Sequence, residues 1–245
     1  MSSTATVTKP TEVLASPTPI DILHNDFAKV YTHLHPILVL ALFYYQFPSL
    51  VADPVLSLTS SLVPLGILQI AYVTICLPAT GAMAAPTARL KPGQRRKAGS
   101  KSEAGIGEKI VPAFLCLVLS VILGTPLLTL SLILFGAPLT THQLHTLLCA
   151  AHVSLLASIP LIYVHGVEAA RWRDVVSLMS PVDEVFGAAV GTLVGAWLGA
   201  VPIPLDWDRE WQKWPVTIVT GAYAGSVVGK IVGGHLFKGR RIEFD

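Results

Sequence analysis

The chain has 245 residues, 52% hydrophobic and only 13% charged, with a formal net charge of +2 and a mean hydropathy of +0.62. A soluble domain carries about 25% charged residues on average. This composition excludes one, and so small a net charge gives no footing for nucleic acid as a partner. The few charges are bunched between long apolar runs, which makes lipid the solvent for most side chains.

In chain order, residues 1–20 are rich in Ser, Thr and Pro, with one Lys and no apolar stretch. They lack the apolar centre of a cleavable signal peptide, and 1–33 is expected to be a disordered cytoplasmic tail. Six apolar runs follow, at about 36–52, 55–77, 111–135, 143–165, 185–201 and 215–237. Asp53-Pro54 divides the first two, since a charge beside a helix breaker marks a turn. Most runs approach the ~20 residues that span the hydrocarbon, while the first and fifth fall short. The expected fold class is therefore all-α, a polytopic membrane helix bundle of about six transmembrane helices ending in a glycine-striped hairpin. The transmembrane domain covers 34–237 and includes a basic cytoplasmic loop at about 78–110. A second cytoplasmic tail covers 238–245.

An even number of crossings puts both ends on one side, and basic residues choose the side. One side collects Lys9, Lys29, Arg89, Lys91, Arg95, Arg96, Lys97, Lys101, Lys109, Arg171, Arg173, Lys238, Arg240 and Arg241. The other has only Arg209 and Lys213, with Lys230 inside the sixth run. Both termini are thus expected in the cytoplasm, and 202–214 on the lumenal or exterior side. The Gly- and Ser-rich basic stretch at 89–109 is expected to be a flexible cytoplasmic linker that sets topology, with contact to anionic lipid as the functional alternative.

Cys76, Cys116 and Cys149 all lie in apolar runs and read as small hydrophobes, without disulfides or zinc. The more informative pattern is glycine at every fourth position: Gly187, Gly191, Gly195 and Gly199 in the fifth run, and Gly221, Gly225, Gly229 and Gly233 in the sixth. At 3.6 residues per turn this keeps each set on one stripe. Lipid offers no hydrophobic force between helices, so close backbone packing holds them, and small residues permit it. The two stripes are expected to pack on each other, or on a partner's helices.

Between the stripes runs a loop containing Pro202, Pro204, Asp206, Trp207, Asp208, Arg209, Trp211, Lys213, Trp214 and Pro215. Tryptophans suit a membrane interface, the prolines stiffen entry and exit, and Asp208 is placed to pair with Arg209 or Lys213. Asp206-x-Asp208 is a weak metal motif, and with no further acidic cluster on that side neither a metal nor a catalytic residue is assigned. Elsewhere, His142, His145 and His152 read as interfacial or inter-helix polar groups. Lys230 lies near a helix end and is expected to snorkel to the interface. Glu168, Arg171, Arg173, Asp174, Asp183 and Glu184 form a polar linker, expected to be a solvated or interfacial amphipathic stretch. No nucleophile elbow is present.

The stretch from Gly187 to Gly234, centred on Gly-Ala-Trp-Leu-Gly-Ala-Val-Pro-Ile-Pro-Leu-Asp-Trp-Asp-Arg-Glu-Trp-Gln-Lys-Trp-Pro, resembles the Pig-F family of glycosylphosphatidylinositol (GPI) anchor biosynthesis. The resemblance is sharpest over 183–234. Upstream it rests on hydropathy and length, and the tail and basic loop are fungal in style. It implies residence in the endoplasmic reticulum membrane and a non-catalytic role beside large ethanolamine-phosphate transferases, as ethanolamine phosphate is added to mannoses of the GPI precursor. No cofactor is implied. Two rivals stay open: a lipid-handling protein that presents phosphatidylethanolamine or the GPI precursor, and a transferase in its own right using Asp206 and Asp208.

Overall fold

The computed structural model describes residues 18–80, 106–205 and 207–242. Residues 1–17 of the expected tail, most of the basic loop and Asp206 lie outside the described residues. Within them the chain is helical, with no strand.

Helix α1 covers Asp26–Ala52 and starts about ten residues before the first apolar run. Asn25 sets this start, its side chain accepting a hydrogen bond from the Ala28 amide at 2.6 Å, which satisfies a helix-end donor. The helix then passes through Pro36 and Pro48. Asp53 caps α2 (Pro54–Cys76) by accepting from the Val55 and Leu56 amides, both at 3.1 Å. Pro54 opens that helix, where its missing N–H costs nothing.

The third run forms α3 (Ile106–Leu119), a π-helical turn (Ser120–Gly124) and α4 (Thr125–Leu134). Pro126 removes one backbone donor and crowds the turn before it, which widens the helix there. The Ser120 carbonyl accepts the Thr125 amide across this turn and is also met by Ser154 Oγ at 2.8 Å and Thr125 Oγ1 at 3.3 Å. Helix α5 (Gln143–His165) is the central element and packs on α2, α3, α4, α7 and α8. Leu65, Tyr72 and Val73 meet Leu156, Ile159, Tyr163, Val219 and Tyr223 in the buried core. Cys76, Cys116 and Cys149 are buried and free.

A short amphipathic helix, α6 (Ala169–Val176), leads into the hairpin of α7 (Glu184–Leu198) and α8 (Val216–Ile231), and a π-helical turn follows α8 at Val232–Leu236. Among the described residues, five helical segments are long and apolar enough to cross a membrane, and α7 is a further, shorter apolar helix. Its 15 residues extend only about 22 Å, against about 30 Å of hydrocarbon. The chain is thus a polytopic helical bundle whose fifth apolar run is helical for less of its length than hydropathy suggests.

One end of the bundle gathers the start of α1, the ends of α2, α5 and α8, and the start of α7. The Leu23 amide donates to the Cys76 carbonyl at 2.9 Å, Thr80 to Tyr163 at 2.9 Å, and Val182 to Arg240 at 2.8 Å. The Ile20 amide reaches the Asp183 carboxylate at 2.9 Å. Lys238 lies 2.7 Å from Asp21, a hydrogen bond that raises the ammonium above its ordinary value.

Candidate functional site

The two glycine stripes face each other. A methyl built on Gly191 would lie 2.7 Å from the Gly229 Cα and against the Gly225 carbonyl. On Gly195 it would lie 2.9 Å from the Gly225 Cα, on Gly187 2.8 Å from the Gly233 Cα, and on Gly199 2.8 Å from the Ile218 Cα. Gly221, Gly225, Gly229 and Gly233 meet the same backbone from the other side. The antiparallel helices therefore touch backbone to backbone along the stripe, a distance no Cβ tolerates. All eight glycines are used inside the hairpin.

Beside this seam runs an apolar groove of about 730 Å³ with glycine along its floor. Val182, Phe186 and Phe237 line one end, and Pro202 and Trp211 the other. A second groove, of about 670 Å³, lies on the other flank of α7, between α4 and the loop, and is lined by Leu132, Phe135, Trp197, Ile203 and Trp214. Trp214 Nε1 is buried there without a partner among the described residues.

Gln212 pins the tryptophan loop, although sequence reasoning passed over it. Its Nε2 donates to the Pro202 and Leu205 carbonyls, both at 2.7 Å, and its Oε1 accepts from the Arg209 amide at 3.0 Å. A buried amide with three backbone bonds closes the loop at Pro202–Gln212. Trp207 packs against Trp211 with ring centroids 5.8 Å apart and planes inclined by 60°. Lys213 pairs with Glu210 at 3.3 Å, not with Asp208 as the charge order suggested. Asp208 has φ +49°, a left-handed backbone that Asp adopts more readily than most residues, and its side chain is exposed. Asp208 here serves the turn. Asp206 lies outside the described residues. Among the described residues no three His, Cys, Asp or Glu side chains converge as metal ligands would.

At the opposite end, Lys230 corrects the snorkelling expectation. It is 6% exposed and turns inward, donating to the Thr32 carbonyl at 2.9 Å. Its ammonium lies 3.7 Å from Glu184 Oε2 and 3.9 Å from the Tyr72 ring centre. Carbonyl, carboxylate and aromatic face together replace water around the charge. Glu184 in turn accepts from Thr32 Oγ1 at 2.9 Å. Asp183 is 1% exposed and caps α7 by accepting from the Val185 and Phe186 amides, both at 2.9 Å. These two carboxylates are not part of a solvated linker, because the start of α7 is drawn under α1. Glu168 and Arg171 do stay at the surface, 3.9 Å apart.

His152 ties three helices: Nδ1 lies 2.9 Å from the Tyr223 hydroxyl of α8, and Nε2 lies 3.0 Å from the Leu58 carbonyl of α2. His145, two turns before it, lies instead against His142, ring centres 5.0 Å apart.

Fold and site define a polytopic membrane bundle in which Lys230 and Glu184 are engaged with each other, and in which apolar grooves run along a glycine-seamed hairpin. The model of the GPI biosynthesis protein family Pig-F matches residues 34–234, and the chain belongs to that family. It is 44% identical to glycosylphosphatidylinositol anchor biosynthesis protein 11 of Aspergillus fumigatus, over 94% of this chain and 87% of that protein. The protein of the same name from Neurospora crassa is 46% identical, over 93% and 82%. A mouse protein named GPI ethanolamine phosphate transferase, stabilizing subunit, is 33% identical over 54% of this chain and 62% of its own length. No solved structure matches.

Proposed function

We propose that this chain is a non-catalytic membrane subunit of GPI ethanolamine-phosphate transferases, supporting ethanolamine phosphate addition to mannoses of the GPI precursor. It resides in the endoplasmic reticulum membrane with both termini cytoplasmic and the tryptophan loop lumenal. The observation that carries this is the family match over 34–234, joined to the printed role of the mouse relative as a stabilizing subunit. The groove of about 730 Å³ beside the glycine seam supports it physically, since apolar contact at membrane depth is what a partner's transmembrane helix requires. Asp208 favours a loop role over chemistry, given its left-handed backbone.

Affinity purification of the full chain in mild detergent tests this. A stoichiometric complex with a large transferase is expected, and transfer activity appears only with that complex. Transfer by the isolated chain would instead make it the enzyme. One observation favours a lipid-handling role: the same groove is apolar and spans the hairpin. Recovery of a GPI precursor in that groove, with no transferase bound, would establish it.

A further inference from the structure

Where α1, α2 and α8 meet, three polar side chains have needs that the protein does not fill. His35 of α1 and Gln69 of α2 are buried, and Ser226 of α8 is half-buried. Both His35 ring nitrogens lack a hydrogen-bond partner among the described residues. The Gln69 amide and the Ser226 hydroxyl make no hydrogen bond among them either. The His35 ring lies flat against Tyr72, with centroids 4.4 Å apart and planes inclined by 17°. That contact uses the face of the imidazole and leaves its nitrogen-bearing edge to other neighbours. His35, Gln69 and Ser226 line one cavity of about 20 Å³, with Lys230 on its wall. The Lys230 ammonium is already engaged with the Thr32 carbonyl and Glu184. Bare polar groups at membrane depth are strongly destabilising, and here groups from three helices border the same small space.

We propose that this cavity is a binding site for one water molecule, which bridges His35, Gln69 and Ser226 and so joins α1 to α2 and α8. Size and chemistry together set the ligand class. A water needs about 10–15 Å³ of such space, so a cavity of about 20 Å³ admits one and excludes any larger polar molecule. Water both donates and accepts, and so do the imidazole, amide and hydroxyl around it. Three side chains give it about the number of partners that internal waters hold. A cation would meet the Lys230 ammonium on the wall. An anion would compete with Glu184, which already lies 3.7 Å from that ammonium. The bridge gives α1 a polar hold on the bundle, although much of that helix, including Ile37, Tyr44 and Tyr45, is exposed. The site is separate from the transferase partnership and does not depend on it.

The direction of two substitutions tests this, by thermal unfolding of the full chain in detergent. Gln69→Met and Ser226→Ala each delete a polar partner at similar shape. With a water in place, each deletion leaves it short of a hydrogen bond, and each variant should melt about 2–4 °C below the wild type. The double variant should lose less than the sum of the two, because both side chains serve the same molecule. Without a water, each substitution removes a bare polar group, and the melting temperature holds or rises; that result overturns the proposal. Additive losses overturn the shared bridge. Replacing chloride by gluconate should leave the wild-type melting temperature unchanged, and a drop would assign the cavity to a halide instead. An electron cryomicroscopy map of the wild-type chain, fine enough to show ordered solvent, should place one peak about 2.7–3.2 Å from Gln69 and Ser226. A map of that quality with no peak there refutes the site even if both variants misfold.

Discussion

Gly191→Ala adds one methyl to the middle of the glycine seam. That carbon would lie 2.7 Å from the Gly229 Cα and 3.0 Å from its nitrogen, and against the Gly225 carbonyl. Relaxed carbon contacts need about 3.5–4.0 Å, so the helices must part by about 1 Å. The obstacles are backbone atoms, so no side chain can rotate away. Parting at Gly191 also opens Gly187–Gly233 and Gly195–Gly225, which lie one turn to either side. Overpacking of this kind costs about 1–3 kcal/mol, while Ala in place of Gly returns about 1 kcal/mol of helix propensity. Gly107→Ala is the control: nothing lies within 4 Å of its added methyl, so only the propensity gain remains. The two variants should differ by about 1–3 kcal/mol, which at ~2–4 °C per kcal/mol for a chain of this size separates their melting temperatures by about 2–12 °C. Detergent-solubilised protein, heated and scored by size-exclusion chromatography, gives the measurement. If Gly191→Ala melts at or above Gly107→Ala, the seam is not a close-packed interface.

Lys230→Met strands Glu184 and should destabilise by about 3–5 kcal/mol, whereas adding Glu184→Gln restores most of the loss. Thermal unfolding of the two single variants and the double gives the coupling. Tyr223→Phe removes the hydroxyl 2.9 Å from His152 Nδ1 and should cost about 1–3 kcal/mol by leaving a buried nitrogen unmet, read in the same assay. Asp208→Gly should keep transferase co-purification, because glycine accepts φ +49°, whereas Asp208→Val should lower it through backbone strain. A glycosylation acceptor placed at Asp208 on an extended insert should be modified, and one placed within 89–109 should not; the reverse pattern inverts the orientation.

The local devices were legible in the sequence. Four-residue glycine spacing is a helical-stripe signal, and the structure places both stripes on one seam. Asp53-Pro54 marks the break between the first two runs, and the structure makes that same pair the cap and first-turn proline of α2. What stayed hidden depended on partners far along the chain. Lys230 looks like a snorkelling lysine because hydropathy sees only its distance from the helix end. Its ligands, Thr32 and Glu184, come from two other helices. His152 likewise finds Leu58 and Tyr223 only once α2, α5 and α8 are assembled. The early start of α1 is carried by the Asn25 cap, a signal present in the sequence but masked by the polar residues after it. Gln212 gave no pattern at all, since its three bonds go to backbone.

The bonds at the closed end of the bundle also constrain the order in which it can be made. Thr32 and Ile20 emerge from the ribosome early, yet the Thr32 carbonyl waits for Lys230, 198 positions later, and Ile20 waits for Asp183, 163 positions later. The Val182 backbone likewise bonds Gly239 and Arg240. The first helix therefore enters the bilayer with its mates unmade, and the closing contacts arrive only with the last one. A message cut short within α8 yields a product whose earlier helices are intact in sequence but whose buried carboxylate has no ammonium. Such a product leaves Glu184 without its cation and the Thr32 carbonyl without its donor, a polar defect at membrane depth.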